Sequence, residues 1–283
     1  MGVRIITDSA SDISKQLEED FNIKVVPLTV NFGEDEHFKD RYEIASDAFF
    51  EKLKTTEKTP STSQVNPGEF ETVFKEILDD GDELVGIFLS SELSGTYNSA
   101  VMAKEMFSEN QDKIYLIDSR SVSLGLSLLV YEAAKMANKG ATAEEIKEYI
   151  EKAKEKVETI IVVDTLEYLK KGGRLSAGAA FIGSVLNLKP ILILEDGKLV
   201  AVDKVRGRKK AISWIKEWLL KNNFDLDDKS VFMVHAAEPG YMNELKEFIV
   251  KSYNTKDIFT SQVGGVVGTH SGPGAIGFSF LNL

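Results

Sequence analysis

NPGEFETVFKEILDDGDELVGIFL, running from Asn66 to Leu89, is the stretch on which the fold turns. Asn66 is an N-cap residue type, Pro67 suits the first helical position, and Glu69 stands where a capping box needs it. Phe70, Val73, Phe74, Ile77 and Leu78 then recur at i, i+3, i+4, i+7 and i+8, the spacing of one helix face. Gly81 ends that helix, and Leu84–Leu89 reads as a buried strand.

The same alternation extends in both directions. Upstream, Val3–Thr7 and Lys24–Val30 read as strands. Downstream come a helix over Thr96–Phe107, a strand over Ile114–Ile117 and a helix over Ser123–Ala137 that stops near Gly140. Thr142 to Glu145 is a second capping box, and Thr159–Val163 another apolar strand. Strands alternating with helices of this length predict a parallel, Rossmann-like sheet covered on both faces. Such sheets bind ligands beyond the carboxyl ends of their strands. Asp8 and Ser9, Ser90–Ser94, and Asp118 with Ser119 occupy those places.

The pattern changes near residue 160. Pro190–Leu194 and Lys198–Val202 flank Asp196-Gly197, a hairpin signal. A helix through Ile212, Ile215, Trp218 and Leu219, a strand over Val231–Val234 and a helix over Tyr241–Ile249 follow. Strands over Ile258–Val267 and Ile276–Leu281 close the sequence, and a small, apolar helix over 177–187 would suit a lid. The expectation is an N-terminal α/β domain over 1–160 and a C-terminal α+β domain with antiparallel pairing over 161–283.

Composition narrows the function. At 283 residues, 43% hydrophobic and 28% charged, the chain suits an ordinary globular protein. A net charge of −11 argues against a partner built of nucleic-acid phosphates. The absence of cysteine excludes disulfides and thiolate metal sites and fits a reducing cytoplasm, the expected location. No run of 18 apolar residues predicts a membrane span. The three histidines, His37, His235 and His270, lie too far apart to suggest a metal motif; His37 reads as solvated and His235 as structural.

Gly272-Pro-Gly-Ala-Ile-Gly277 matches G-x-G-x-x-G, but its context is wrong for a dinucleotide loop. Phe278–Leu283 alternates like a short strand, so no helix N-terminus follows to receive a pyrophosphate. The glycines instead allow a tight turn and close backbone approach, with His270 and Ser271 on the turn. Thr59–Pro67 is rich in hydroxyls: either a capping and turn segment, or Ser61, Thr62 and Ser63 donating to an anion. Ser94 either caps a helix or, with Gly95 and Thr96, offers a carboxylate or phosphate site at a helix N-terminus. Ser94, His270 and Asp8 supply the residue types of a hydrolase triad, yet no G-x-S-x-G elbow surrounds any serine. Asp8 and Asp12 are spaced so that they would not sit side by side as a phosphatase pair. Lys170–Ser176 and Lys204–Lys210 are basic islands without a phosphate-binding lysine loop, either solvated faces or docking points for an acidic partner.

Five fragments in order give the chain its resemblance. They are Ile6-Thr-Asp-Ser-Ala-Ser-Asp12, Thr62-Ser-Gln64, Leu93-Ser-Gly-Thr-Tyr97, Thr165 through Arg174 (TLEYLKKGGR) and Gly268-Thr-His-Ser-Gly-Pro-Gly274. Across its length the sequence resembles the DegV family of bacterial fatty-acid-binding proteins. That resemblance implies a ligand tunnel between the two domains, filled by the tail of a long-chain fatty acid. It implies that Thr62 and Ser94 bond the carboxylate with His270 close by, supported by Ser63, Gly95, Thr96, Gly268 and Thr269. It further implies a non-catalytic protein without cofactor or metal, the acyl-binding subunit of a two-part fatty-acid kinase feeding phospholipid synthesis. A separate ATP-binding subunit would phosphorylate the bound acid, with Arg174 and Arg206 serving that partner and the reaction. The rival reading is a serine-type acyl hydrolase using Ser94 and His270.

Overall fold

The structure is a computed structural model and describes residues 2–177 and 187–283; the helix expected over 177–187 lies, but for its end residues, outside the described residues. The first half runs β1 (Val3–Asp8), α1 (Lys15–Asp20), β2 (Lys24–Val26), β3 (Thr29–Phe32), β4 (Glu36–Lys39), α2 (Ser46–Thr55) and β5 (Ser61–Ser63). It continues with α3 (Pro67–Asp79), β6 (Glu83–Phe88), α4 (Thr96–Lys104), β7 (Ile114–Asp118), α5 (Leu124–Asn138) and α6 (Ala143–Ala153). Next come β8 (Val157–Val162), α7 (Glu167–Lys171), β9 (Leu175–Ala177), β10 (Leu188–Glu195) and β11 (Lys198–Arg206). The chain ends with α8 (Arg208–Lys221), β12 (Ser230–His235), α9 (Pro239–Ser252), β13 (Asp257–Gln262), α10 (Gly265–Ser271) and β14 (Ile276–Leu281).

Three sheets result. The first is parallel, ordered β2-β1-β6-β7. The second has seven strands, ordered β13-β12-β14-β8-β10-β11-β9. It is mixed rather than antiparallel throughout, because β12 pairs parallel with β13 and β11 parallel with β9. The third is a small antiparallel ribbon, β4-β3-β5. The boundary expected between residues 160 and 161 falls inside β8, a strand of the second sheet.

The capping signals read from the sequence are formed. Asn66 accepts the Glu69 N–H, and Glu69 accepts from the Asn66 N–H, at the start of α3. Thr142 and Glu145 make the same reciprocal pair at α6. The strand expected over Lys24–Val30 is broken at Pro27, which has no N–H to give a ladder; its halves belong to different sheets. The strand expected to run to Val267 ends at Gln262, and Gly265–Ser271 is helical.

Helix α5 joins the lobes. Every residue from Leu124 to Tyr131 is buried, so the helix is enclosed on all sides. One face meets β1 of the parallel sheet, and others meet β12 and β14 of the mixed sheet. Gly125 lets the helix approach β8: a Cβ there would lie 2.9 Å from Thr159 Oγ1, and 2.2 Å from Ser121 Oγ on the preceding loop. One continuous core therefore serves both sheets. Leu129→Ala, at a fully buried site of this helix, should cost about 2–5 kcal/mol. Denaturant titration followed by fluorescence and by circular dichroism should show both signals falling together. Two separated transitions would show that the lobes do not share a core.

Candidate ligand-binding site

The carboxyl ends of β1, β6 and β7 face the mixed sheet across a cavity of about 380 Å³, within the usual range for small-molecule sites of roughly 300–1,000 Å³. From the parallel side it is lined by Ala10, Leu89, Leu93 and Val122. Ile161, Val163, Leu192, Leu199 and Val234 line it from the mixed sheet. The polar residues of the lining are Thr62, Ser63, Gln64, Ser94, Ser123, Arg174, His270 and Ser271.

Thr62 sits on β5, not in a loop. Its register with Val30 is fixed by antiparallel pairing with β3. Strand alternation turns Thr62 inward and leaves Ser61 and Ser63 exposed. Thr62 Oγ1 shares a hydrogen bond of 3.0 Å with His270 Nε2. His270 rides on the last turn of α10 rather than on a turn of irregular chain. Burial, with a smaller push from Arg174, lowers its imidazole to about 4, so the ring is neutral at pH 7. Its Nδ1 has no hydrogen-bond partner among the described residues. Gly172 covers that nitrogen: a Cβ there would come within 2.1 Å of it.

Ser94 lies just before α4, half-buried, its Oγ 3.0 Å from Thr96 Oγ1. It also accepts the Thr96 N–H at 3.3 Å, so the serine shapes the helix start while facing the cavity. Gln64 links the two hydroxyl segments by donating to Ser99 Oγ at 2.8 Å and to the Gly95 carbonyl. Gly95 leaves room for this contact, since a Cβ would meet the Gln64 amide at 2.1 Å and displace it. Arg174 Nε donates to the Leu93 carbonyl and Nη1 to the Gly172 carbonyl, at 2.9 and 2.6 Å. Its charge is thus held at the cavity wall with two donors already engaged. Thr269 Oγ1 donates to the Gly265 carbonyl, and Gly268 packs on Phe49 and Phe50, so both support α10 from behind. Arg206 is exposed and stands apart, in a surface depression with Lys189, Arg208, Lys209 and Lys210.

No relay joins Ser94, His270 and Asp8. Ser94 bonds Thr96, His270 bonds Thr62, and Asp8 accepts the Ala10 and Leu89 N–H groups at 2.9 and 2.8 Å. The glycine-rich segment follows a helix and leads into β14, the reverse of a dinucleotide loop. Gly272 and Gly274 have φ of 68° and 87°; Cβ atoms there would strike the Tyr168 ring and the Asp164 carboxylate at 2.2 and 2.5 Å. They let α10 close onto α7, as expected of glycines that allow close approach. His37 is exposed on β4 and bonds Asn31 Oδ1, and His235 ends β12 with Nδ1 accepting the Glu238 N–H.

Sequence reasoning did not single out Asp40, and it gave no bonding role to Gln64, Gly172 or Asp12. Asp12 Oδ2 accepts from Ser123 Oγ at 2.5 Å and Oδ1 from the Gly264 N–H at 2.7 Å. Asp40 Oδ1 accepts the Gly265 N–H at 2.7 Å. These partners of Asp12 and Asp40 lie more than 100 residues away in sequence, where no local pattern points to them. Among the described residues no cluster of potential ligands could hold a metal, and no helix is long and apolar enough to cross a membrane.

The fold is thus two α/β lobes with a largely apolar cavity between their sheets and a cluster of polar side chains in its lining. The family model described as uncharacterised protein, DegV family, matches residues 2–283, and the chain belongs to that family. A DegV domain-containing protein of Caldanaerobacter subterraneus is 41% identical over 278 residues, 98% of each chain. The solved structure of a DegV lipid-binding protein from Thermotoga maritima superposes with a TM-score of 0.91 at 31% identity, covering 99% of this chain and 98% of that one. DegV from Bacillus subtilis, described as a fatty-acid-binding protein, gives 0.86 at 33% identity over 99% of both chains.

Burial raises Asp12 from 3.8 to about 7 despite its bonds to Ser123 and Gly264. The fold therefore holds a proton that the unfolded chain releases, and this contribution is lost as pH rises from about 4 to about 7. Asn at this position keeps an acceptor for Gly264 but has no charge to bury. The melting temperature of Asp12→Asn relative to the parent should climb steadily from pH 4.5 to 7.5; a difference that stays flat would place the acid in water.

Proposed function

We propose that the protein binds a long-chain fatty acid, its tail in the apolar cavity and its carboxylate on Thr62 and Ser94, with His270 beside them. The observation that carries this reading is the Thr62–His270 hydrogen bond at the polar corner of an otherwise apolar cavity. Relatives of the same fold described as lipid- or fatty-acid-binding proteins support it.

The energetics fit. At about 0.8 kcal/mol per buried methylene, a 16-carbon acid gains roughly 11 kcal/mol gross, of which ordering and lost freedom take back several. The head then needs orientation more than affinity. Two hydroxyls donate to the carboxylate, and a neutral imidazole holds one of them in place. The Arg174 charge stands near, but two of its donors are committed to backbone carbonyls. It supplies a favourable field without the planar two-bond clamp that would tie up both carboxylate oxygens.

We infer further that the bound acid is presented to a separate ATP-binding kinase subunit. A carboxylate oxygen attacks the γ-phosphorus, ADP departs, and an acyl phosphate remains. In this reading the chain has no catalytic residue or cofactor of its own. Arg206, Lys209 and Lys210 are exposed beside the paired Lys189, Arg208 and Asp164, and on a protein of net charge −11 these exposed cations suit an acidic face of such a partner. The acyl-hydrolase reading has no bonded serine–histidine–acid relay to support it.

Denaturing mass spectrometry of the purified protein should release intact fatty acid and leave the chain at its unmodified mass. An acyl adduct on Ser94 would contradict the reading. Thr62→Ala and Ser94→Ala should each weaken palmitate binding about tenfold, near 1.4 kcal/mol, as for one hydrogen bond to a charged group; unchanged affinity in both would place the head elsewhere. Arg206→Glu should abolish partner-dependent phosphorylation while palmitate affinity stays as in the parent. Loss of palmitate as well would refute a docking role.

A further inference from the structure

Helix α10, which presents His270, is gripped at its other end by the opposite lobe. Asp12 ends the short turn after β1 in a left-handed conformation, φ 52° and ψ 21°. Its carboxylate accepts the Gly264 N–H on one oxygen and the Ser123 hydroxyl on the other. Asp40, just after β4, accepts the next amide, that of Gly265. Both acids are almost wholly buried. Gly264 must be glycine for the grip to close, since a Cβ would lie 2.9 Å from both Asp40 carboxylate oxygens and 3.3 Å from Asp12 Oδ1.

The third member is strained. Ser123 is the N-cap of α5, at φ 53° and ψ −122°, a region that costs a non-glycine residue roughly 1–3 kcal/mol. Its N–H donates to the Ala10 carbonyl at 2.7 Å and its hydroxyl to Asp12. Buried acids and backbone strain are expensive features to place at a plain packing contact. Here they meet on the two amides that open the one helix supplying a group to the polar corner.

We propose that Asp12 and Asp40 are positioning residues for the carboxylate site: by holding the Gly264 and Gly265 amides they set α10 so that His270 Nε2 meets Thr62 Oγ1. This rests on the fatty-acid reading only for its consequence on binding. The chain of contacts runs from Ser123 through Asp12 to Gly264, along α10 to His270, and across to Thr62. Asp8 and Arg41 complete the surrounding charge: Asp8 adds repulsion toward Asp40, and Arg41 attracts both positioning acids. Arg41 is itself paired with Glu18 at 3.0 Å.

The test uses Asp12→Ala, Asp40→Ala and Asp12→Asn in the full chain. Two quantities are read: the NMR titration midpoints of the three imidazoles without lipid, and palmitate affinity. With its anchor loosened, α10 drifts and His270 becomes hydrated. Its midpoint should move in both alanine variants from about 4 toward the ordinary value near 6.5. Palmitate affinity should fall tenfold or more. Asp12→Asn, which retains the acceptor, should keep the parent midpoint. The assignment is overturned if His270 titrates as in the parent in both alanine variants, or if Asp12→Asn shifts it as far as Asp12→Ala. Should neither alanine variant fold, amide exchange in the unaltered protein decides. Gly264 and Gly265 N–H groups should be as protected as the core of β12, and rapid exchange there would refute the grip. If the parent fails to bind palmitate, the functional reading fails, while the imidazole shift still tests the positioning.

Discussion

A single hydrogen bond between residues 208 apart, Thr62 Oγ1 to His270 Nε2, sets the terms for the rest of the molecule. It joins the first lobe's ribbon to the second lobe's last helix, on a polar side of an otherwise apolar cavity. To hold a 3.0 Å contact there, the fold must fix β5 from one side and α10 from the other. The pairing of β5 with β3 does the first. Gly172, Gly272 and Gly274 do part of the second, by letting α7 and its neighbours close onto α10 without intervening side chains. The desolvation that results keeps the imidazole neutral. A neutral ring orients a hydroxyl without competing for a carboxylate as a fixed cation would.

The wall opposite is as plain as the corner is specific. Valine, leucine and isoleucine from two sheets present no donor or acceptor to a tail. Affinity for an aliphatic chain grows with buried area and is indifferent to direction. Direction has to come from the corner, which is why a handful of hydroxyls and one imidazole can decide how an acid lies. The enclosed helix α5 is the structural counterpart of that division. It makes the lobes share one core, so that the cavity walls keep their spacing.

Much of the fold was legible because its signals are local. The Asn66 and Thr142 capping boxes, the periodic face of α3, the hairpin at Asp196-Gly197 and the last strand all stand as read. The misreadings share a cause. β5 is only three residues long, and its hydroxyl-rich sequence is as good a turn as a strand; pairing with β3 decides it. The valines and glycines of 263–268 look extended, yet two carboxylates more than 200 residues upstream receive the amides that open a helix there. Nothing local marks Asp12 and Asp40 as buried, because burial is a property of the assembled lobes. Thr62, Ser94 and His270, expected from motif resemblance, all line the cavity, whereas the contacts that Gln64 and Gly172 make around them show only as distances.

The most direct measurement is a crystal structure of the protein with palmitate bound. The account predicts continuous density for the tail along the wall formed by Ile161, Leu192 and Val234, ending with carboxylate oxygens within about 3 Å of Thr62 Oγ1 and Ser94 Oγ. A head group lodged at the Arg206 surface, or side chains filling the space between the sheets, would contradict it.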